Sequence, residues 1–440
     1  MCKSNKNLLS LTFFAHERLI KRDFSFSNKK KCVILHAFRA TMEKKRILIA
    51  NKFYYPRGGD CIVAMNLERL LKDQGHEVAV FAMQYPENVD SGWNGYYASQ
   101  VDFAGPLGNN LNAAKRLMGW GDIKSAFNKI LDDFKPDIVH MHNIHSYLSP
   151  VLAKLAKRRG CRVVWTLHDY KLVCPSYACL LDGKPCERCI GRGKMQVLKN
   201  RCMKGSFAAS AMAWLEALKW NRNVLDRYVD AFICPSQFMA SKMKKDGFDP
   251  EKLHVVCNHI DPKKQELFGS LDIEREDYYV YVGRLSDEKG VETLLNVASQ
   301  LPHTLKLAGD GPLRKQLEEQ YASCRNIEFL GHQDAIQVAK LLSKARFSVV
   351  PSEWYENNPL SVIESLCAGT PVVGARIGGI PELLNDDNGI TFASGSREEL
   401  ATAINRAYSA EWHHDTIKET AKLRFSPNEH IKQIFDIYSI

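Results

Sequence analysis

At 440 residues, 45% hydrophobic and 25% charged, the chain is too long for one compact core and too apolar for a disordered one; two domains of ordinary size are expected. The formal charge of +10 sits mostly at one end, where residues 1–41 hold nine lysines and arginines against Glu17 and Asp23. Only +3 is left on the remaining 399 residues, which excludes a globally basic surface for nucleic acid.

Residues 1–43 read as a basic extension. Its apolar run, Leu8 to Ala15, is far short of the roughly 20 residues that span a bilayer, and no small-residue cleavage site follows it. A flexible tail, a transit peptide and a natural start at Met42 stay open. Thirteen cysteines without a secretory signal point to thiols in a reducing cytoplasm rather than a disulfide framework.

From Arg46 onward short apolar runs alternate with amphipathic stretches, the pattern of a parallel α/β fold. Strands are expected at 46–50, 78–81, 138–141, 163–167 and 231–234, with a helix over 60–74 whose Ile62, Met65, Leu67 and Leu70 recur near helical spacing. The rhythm restarts with strands at 278–282, 305–308, 327–330, 347–350 and 372–374. Between them, residues 259–277 are polar, lack strand periodicity and contain Asp261-Pro262, which reads as a linker. The expected domains are 44–262, with a cysteine-rich insertion at 170–205, and 263–424; 425–440 forms a last helix.

Four loops carry the chemistry. Gly58 and Gly59 follow the first strand and open a helix, where backbone amides suit phosphate or sugar hydroxyls; a plain tight turn needs the same glycines. Gly283 and Arg284 through Lys289-Gly290 set two cations at a helix start, the arrangement a diphosphate needs when bound and when leaving; a solvated charged loop would show the same residues. No Asp-x-Asp pair is present to hold Mg²⁺ beside a nucleotide, so Arg284 and Lys289 are expected to do that work. Gly309 and Gly311 suit a sharp strand exit and close approach to a nucleotide base, or a turn alone. In the fourth loop Glu356 follows a strand and Glu364 lies a turn into the next helix, so both can face one cleft, one accepting ribose hydroxyls and the other ordering a sugar. Asn358, Pro359 and Leu360 are expected beside them.

Together, Gly283-Arg284, Lys289-Gly290, the Gly309-Asp310-Gly311-Pro312 turn, the Glu356/Glu364 pair and Gly369-x-Pro371 resemble glycosyltransferase family 4, of the GT-B fold. The resemblance covers nearly everything from Arg46. It implies two Rossmann-like domains facing across a cleft, with the last helix returning to the first domain. It implies a retaining hexosyltransferase that needs no cofactor and uses a UDP- or GDP-sugar: Arg284 and Lys289 on the diphosphate, Glu364 on the ribose, Glu356 on the transferred sugar. Such enzymes place a histidine against the donor sugar where His168 ends a strand. His140, His142 and His145 cluster at an earlier strand exit and, with Asp169, are candidates for the acceptor side of the cleft, packed polar groups and a metal role staying open, while His259 stands where glycine is usual in the hinge. A cell-surface polysaccharide or lipid-linked glycan is the expected acceptor. A GT-B nucleotide-sugar epimerase and a non-catalytic zinc- or partner-binding scaffold remain alternatives.

The insertion holds Cys174, Cys179, Cys186, Cys189 and Cys202. Cys186-x-x-Cys189 with Cys174 and Cys202 gives four ligands for a structural zinc; free buried thiols and redox chemistry stay open. Residues 184–204 carry seven cations against Glu187, a patch suited to anionic lipid at the inner face of a membrane or to a diphosphate-linked acceptor, or simply a solvated surface.

Overall fold

Two strands set the geometry of each half: β1 (Arg46–Ala50) and β3 (Ile138–Met141) in the first, β9 (Tyr279–Val282) and β12 (Ser348–Val350) in the second. They are nearly continuous apolar runs because helices cover both faces of a parallel sheet. The computed structural model describes residues 43–101, 107–271 and 274–439, so the basic extension expected over 1–43 lies, but for Glu43, outside the described residues.

In the first sheet these strands join β2 (Glu77–Phe81), β4 (Arg162–Thr166), β7 (Ala231–Cys234) and β8 (Leu253–Val255) in the order β2-β1-β3-β4-β7-β8, every pairing parallel. The second adds β10 (Leu305–Ala308), β11 (Ile327–Gly331), β13 (Val372–Ala375) and β14 (Gly389–Phe392) in the order β11-β10-β9-β12-β13-β14, also parallel. Strand order therefore reverses between β1 and β3, and again between β9 and β12. Ligands of open α/β sheets bind beyond the carboxyl ends of the strands at such reversals. Residues Lys45–Ser439 form one compact unit, and the Tyr355 ring packs against the apolar cores of both halves.

Three elements depart from the sequence reading. The polar stretch taken as a linker contains a helix, Pro262–Ser270: the Asp261 carboxylate accepts from the Lys263 amide and Pro262 occupies the first turn, so the apparent breaker is a helix start. The edge strands β8 and β14 were not expected; both are short and only partly buried, which blurs their periodicity. His259 needs no left-handed backbone, since it is absent from the residues with positive φ; its ring packs 4.5 Å from His430 and its Nδ1 meets the Ile260 carbonyl at 2.8 Å.

The last helix, Pro427–Tyr438, returns to the first sheet as expected. The Tyr438 hydroxyl lies 2.6 Å from His140 Nδ1, Arg162 Nε donates to the Ile437 carbonyl at 2.9 Å, and Phe435 meets His76 edge-on.

Candidate active site

At the second reversal, the loop after β9 and the loop after β12 are joined by an ion pair. Lys289 Nζ lies 2.6 Å from Glu356 Oε1, the same oxygen accepts from Ser352 Oγ at 2.8 Å, and the ammonium sits 5.1 Å from the Trp354 ring centre. Burial pushes the Glu356 carboxyl up, but Lys289 and Ser352 outweigh it and hold the group below its ordinary value. The Glu356 backbone is fixed as well: its carbonyl accepts from the Gly379 amide at 2.7 Å, and a Cβ on Gly378 (φ +60) would lie 2.1 Å from that carbonyl. Glu364, on the Leu360–Cys367 helix, is paired at 2.6 Å with Lys264 Nζ. Each expected carboxylate is thus already matched by a lysine.

The other expected donor residues take varied places. Arg284 is exposed; its carbonyl accepts from the Tyr281 hydroxyl, and its guanidinium makes no ion pair among the described residues. Gly309 (φ +153) and Gly311 are required by packing, since a Cβ would fall 1.8 Å from the Gly283 carbonyl or 2.2 Å from that of Leu285. Pro359 precedes the Leu360–Cys367 helix as its N-cap, and Leu360 faces Gly59 across the halves, 3.7 Å from where a Cβ would stand. Asn358 is occupied: its side-chain oxygen accepts from the Asn258 amide at 3.0 Å, and its carbonyl accepts from Asn258 Nδ2.

At the first reversal, Gly58 caps the Gly59–Asp73 helix in an extended conformation that any residue adopts. Asp60, in its first turn, accepts from Asn143 Nδ2 at 2.8 Å, and Lys52 together with that bond holds its half-buried carboxyl down against the upward push of desolvation. His142 Nδ1 lies 2.9 Å from His168 Nε2 with the rings nearly parallel. Burial lowers both imidazoles, so at neutral pH the pair is uncharged and shares one N–H. His145 Nε2 reaches Asp169 Oδ1 at 3.3 Å, which keeps that carboxylate ionised although desolvation opposes it. His140 belongs elsewhere: it stacks on His142 but bonds Thr166 and Tyr438, joining the last helix to the sheet rather than lining an acceptor face.

The halves meet beside these groups. Asn357 Nδ2 donates to the Leu167 carbonyl at 2.8 Å, which ties the neighbour of Glu356 to the neighbour of His168. Asn357 Oδ1 accepts from Ser236 Oγ, and the Glu382 carboxylate accepts from the Gln237 and Phe238 amides at 2.7 and 2.6 Å, capping a helix of the opposite half. Sequence reasoning assigned no role to Lys264, Asp60, Asn143, Asn357 or Glu382. Asp60 directly follows the glycine pair and Glu382 closes the Gly-Gly-Ile-Pro-Glu run, which are the signals that were present.

The cysteine-rich insertion carries a small hairpin, β5 (Leu180–Leu181) with β6 (Lys184–Pro185). Among the described residues no group of three or more His, Cys, Asp or Glu is placed to hold a metal. Cys174 is engaged by Cys179, whose hydrogen bond brings its thiol down to about 6, and by Ser176 Oγ at 3.2 Å; Cys202 Sγ turns toward the Gln196 carbonyl. Lys194 is drawn inward by Asp246 at 2.6 Å and so leaves the surface patch.

Comparison with known proteins gives two family matches: residues 57–264 match the model described as Glycosyltransferase Family 4, and 263–424 the one described as Glycosyl transferases group 1. An uncharacterized 42.6 kDa protein in the cps region of Klebsiella pneumoniae is 27% identical over 77% of this chain and 87% of its own length. The sulfoquinovosyl transferase SQD2 of Arabidopsis thaliana is 26% identical over 62% of this chain, which spans 49% of that protein. Anabaena HepE, solved in complex with UDP and glucose, superposes with a TM-score of 0.61 at 19% identity, covering 90% of this chain and 99% of its own.

Proposed function

The chain belongs to glycosyltransferase family 4 and has the GT-B fold, and from that premise we propose that this hexosyltransferase moves a sugar from a nucleotide-diphosphate donor to a cell-surface polysaccharide or lipid-linked glycan, with retention and without a metal ion. The observation that carries the reading is the Lys289–Glu356 pair at the β9/β12 reversal, tied through Asn357 to the strand end that bears His168. A donor diphosphate laid against Lys289 and Arg284 has its charge matched as the glycosidic bond breaks. Glu356, ionised and rigid, then accepts from hydroxyls of the sugar, and neutral His168 has hydrogen-bonding capacity for the same ring. Glu364 beside Lys264 offers a carboxylate to the ribose.

Retention follows in this reading from attack on the face the diphosphate leaves, with a departing phosphate oxygen taking the acceptor's proton; no protein carboxylate serves as nucleophile. The HepE complex with UDP and glucose supports a nucleotide-sugar donor by fold alone. The test is a panel of UDP- and GDP-sugars incubated with the purified chain and a lipid-linked glycan extract, with and without chelator. Product anomers are read by NMR. An inverted anomer, activity abolished by chelation, or no turnover of any donor sinks the proposal.

A further inference from the structure

The helix Phe207–Lys219 is turned inside out. Its buried residues are Ser210, Ala213 and Glu216, whereas Phe207, Leu215 and Leu218 are 58, 47 and 48% exposed. Water-soluble helices bury the apolar face and solvate the polar one. The reversal is built in: Glu216 pairs with Lys171 at 2.9 Å and accepts from the Ser146 amide, and Ser210 Oγ accepts from the Met203 amide. The apolar face extends past the helix end, where Lys219 sits over the exposed Trp120 at 5.1 Å.

The surroundings are basic. Between Gly191 and Leu225 the sequence holds seven lysines and arginines and one acid, Glu216, which is the buried one. Of these cations Arg192, Lys199, Arg201 and Lys204 are exposed and form no ion pair among the described residues. Exposed leucine and aromatic side chains edged by unpaired cations match an interface of acyl chains beneath anionic headgroups. A protein partner would have to present an apolar face ringed by acids, a narrower requirement.

We propose that the Phe207–Lys219 helix, with Trp120, docks this enzyme on an anionic lipid bilayer. The inference deepens the proposed acceptor class and rests on it only for its purpose, so docking and donor turnover are measured separately. No helix among the described residues is long and apolar enough to cross a membrane, which makes this a surface contact.

The test sediments the full chain with vesicles of phosphatidylcholine alone, or of phosphatidylcholine and phosphatidylglycerol in equal parts. Partition onto the anionic vesicles is expected to be on the order of 100-fold stronger and to weaken with salt. Leu215→Glu with Leu218→Glu should lower it by about 10-fold or more while donor hydrolysis stays at the parent rate. A parent chain that ignores both vesicles, or a double variant that partitions like the parent, overturns the proposal. So does a dimer in light scattering that Leu215→Glu dissociates, because a second copy then covers the face. Lost donor hydrolysis in the parent chain, with vesicle binding intact, removes the glycosyltransfer reading and leaves the docking surface standing.

Discussion

The Tyr355 hydroxyl donates to Glu187 Oε1 at 3.1 Å, so the cysteine-rich insertion of one half grips the residue immediately before Glu356 in the other. Lys245 reaches the same carboxylate at 2.7 Å, and Lys242 joins it; these cations bring Glu187 down to about 2 against the push of burial. The insertion therefore bears on the alignment of Glu356 as well as on the surface. Tyr355→Phe should lower stability by about 1 kcal/mol in urea unfolding and lower kcat for donor turnover more than it raises KM. Unchanged kcat would confine the bond to a structural role.

Lys289→Met should leave the buried Glu356 without its counter-charge, cutting donor turnover by roughly 100-fold and lowering stability. Glu356→Gln alone should also destabilise, but the double variant Lys289→Met with Glu356→Gln should be more stable than the two separate losses predict. A urea-based double-mutant cycle with zero coupling would show that the pair is incidental.

Two neighbouring histidines should separate cleanly in kinetics. His168→Ala is expected to lower kcat by roughly 100-fold with the fold intact, because in the proposed mechanism the group lost bonds the transferred sugar. His140→Phe should instead lower the unfolding midpoint and spare kcat, since its partners are Thr166 and Tyr438. Steady-state rates beside thermal melts distinguish the two.

Acid should weaken the fold well above the carboxylate range. Burial drives His140 down to about 3 and His430 to about 3, whereas the unfolded chain holds such groups near 6.5. Between those values the unfolded chain binds protons that the folded chain refuses. Stability is thus complete above about pH 6.5 and declines as pH falls through the window, by about 1.4 kcal/mol per pH unit for each histidine. Urea midpoints at pH 7 and pH 5 measure it, and His430→Gln should flatten the slope; equal midpoints would contradict the assignment.

Gly309→Ala should fail to fold or melt far below the parent, because its methyl would collide with the rigid Gly283 carbonyl. Gly58→Ala, at an extended position whose nearest neighbour is the Asp60 carboxylate at 3.3 Å, should fold normally. Expression and circular dichroism of the two variants check the contrast.

What was legible in the sequence follows from burial. Strands such as β3, β7 and β10 are sandwiched by helices and advertise themselves as apolar runs, and the loops after β9 and β12 stand out because charge and glycine follow those runs directly. The edge strands β8 and β14, short and only partly buried, carry no such mark, whereas β2 and β11 show their apolar runs although they too lie at edges. The lysine that answers Glu364 was hidden in a stretch read as linker, and its meaning depends on a contact 100 residues away. The histidines were visible as a group, but only packing separates His168 and His142, which share a proton, from His140, which anchors the final helix. The cysteine spacing shows four possible metal ligands, but spacing alone cannot register the contact between Cys174 and Cys179.

The anchoring of that final helix bears on synthesis. His140 waits for Tyr438, a residue made 298 positions later, which at ribosomal speeds is a delay of roughly 15–60 s. The last strand of the first sheet, β8, ends at Val255, and from then until Tyr438 emerges the face that the final helix covers stays open, a nascent intermediate on which chaperones can act.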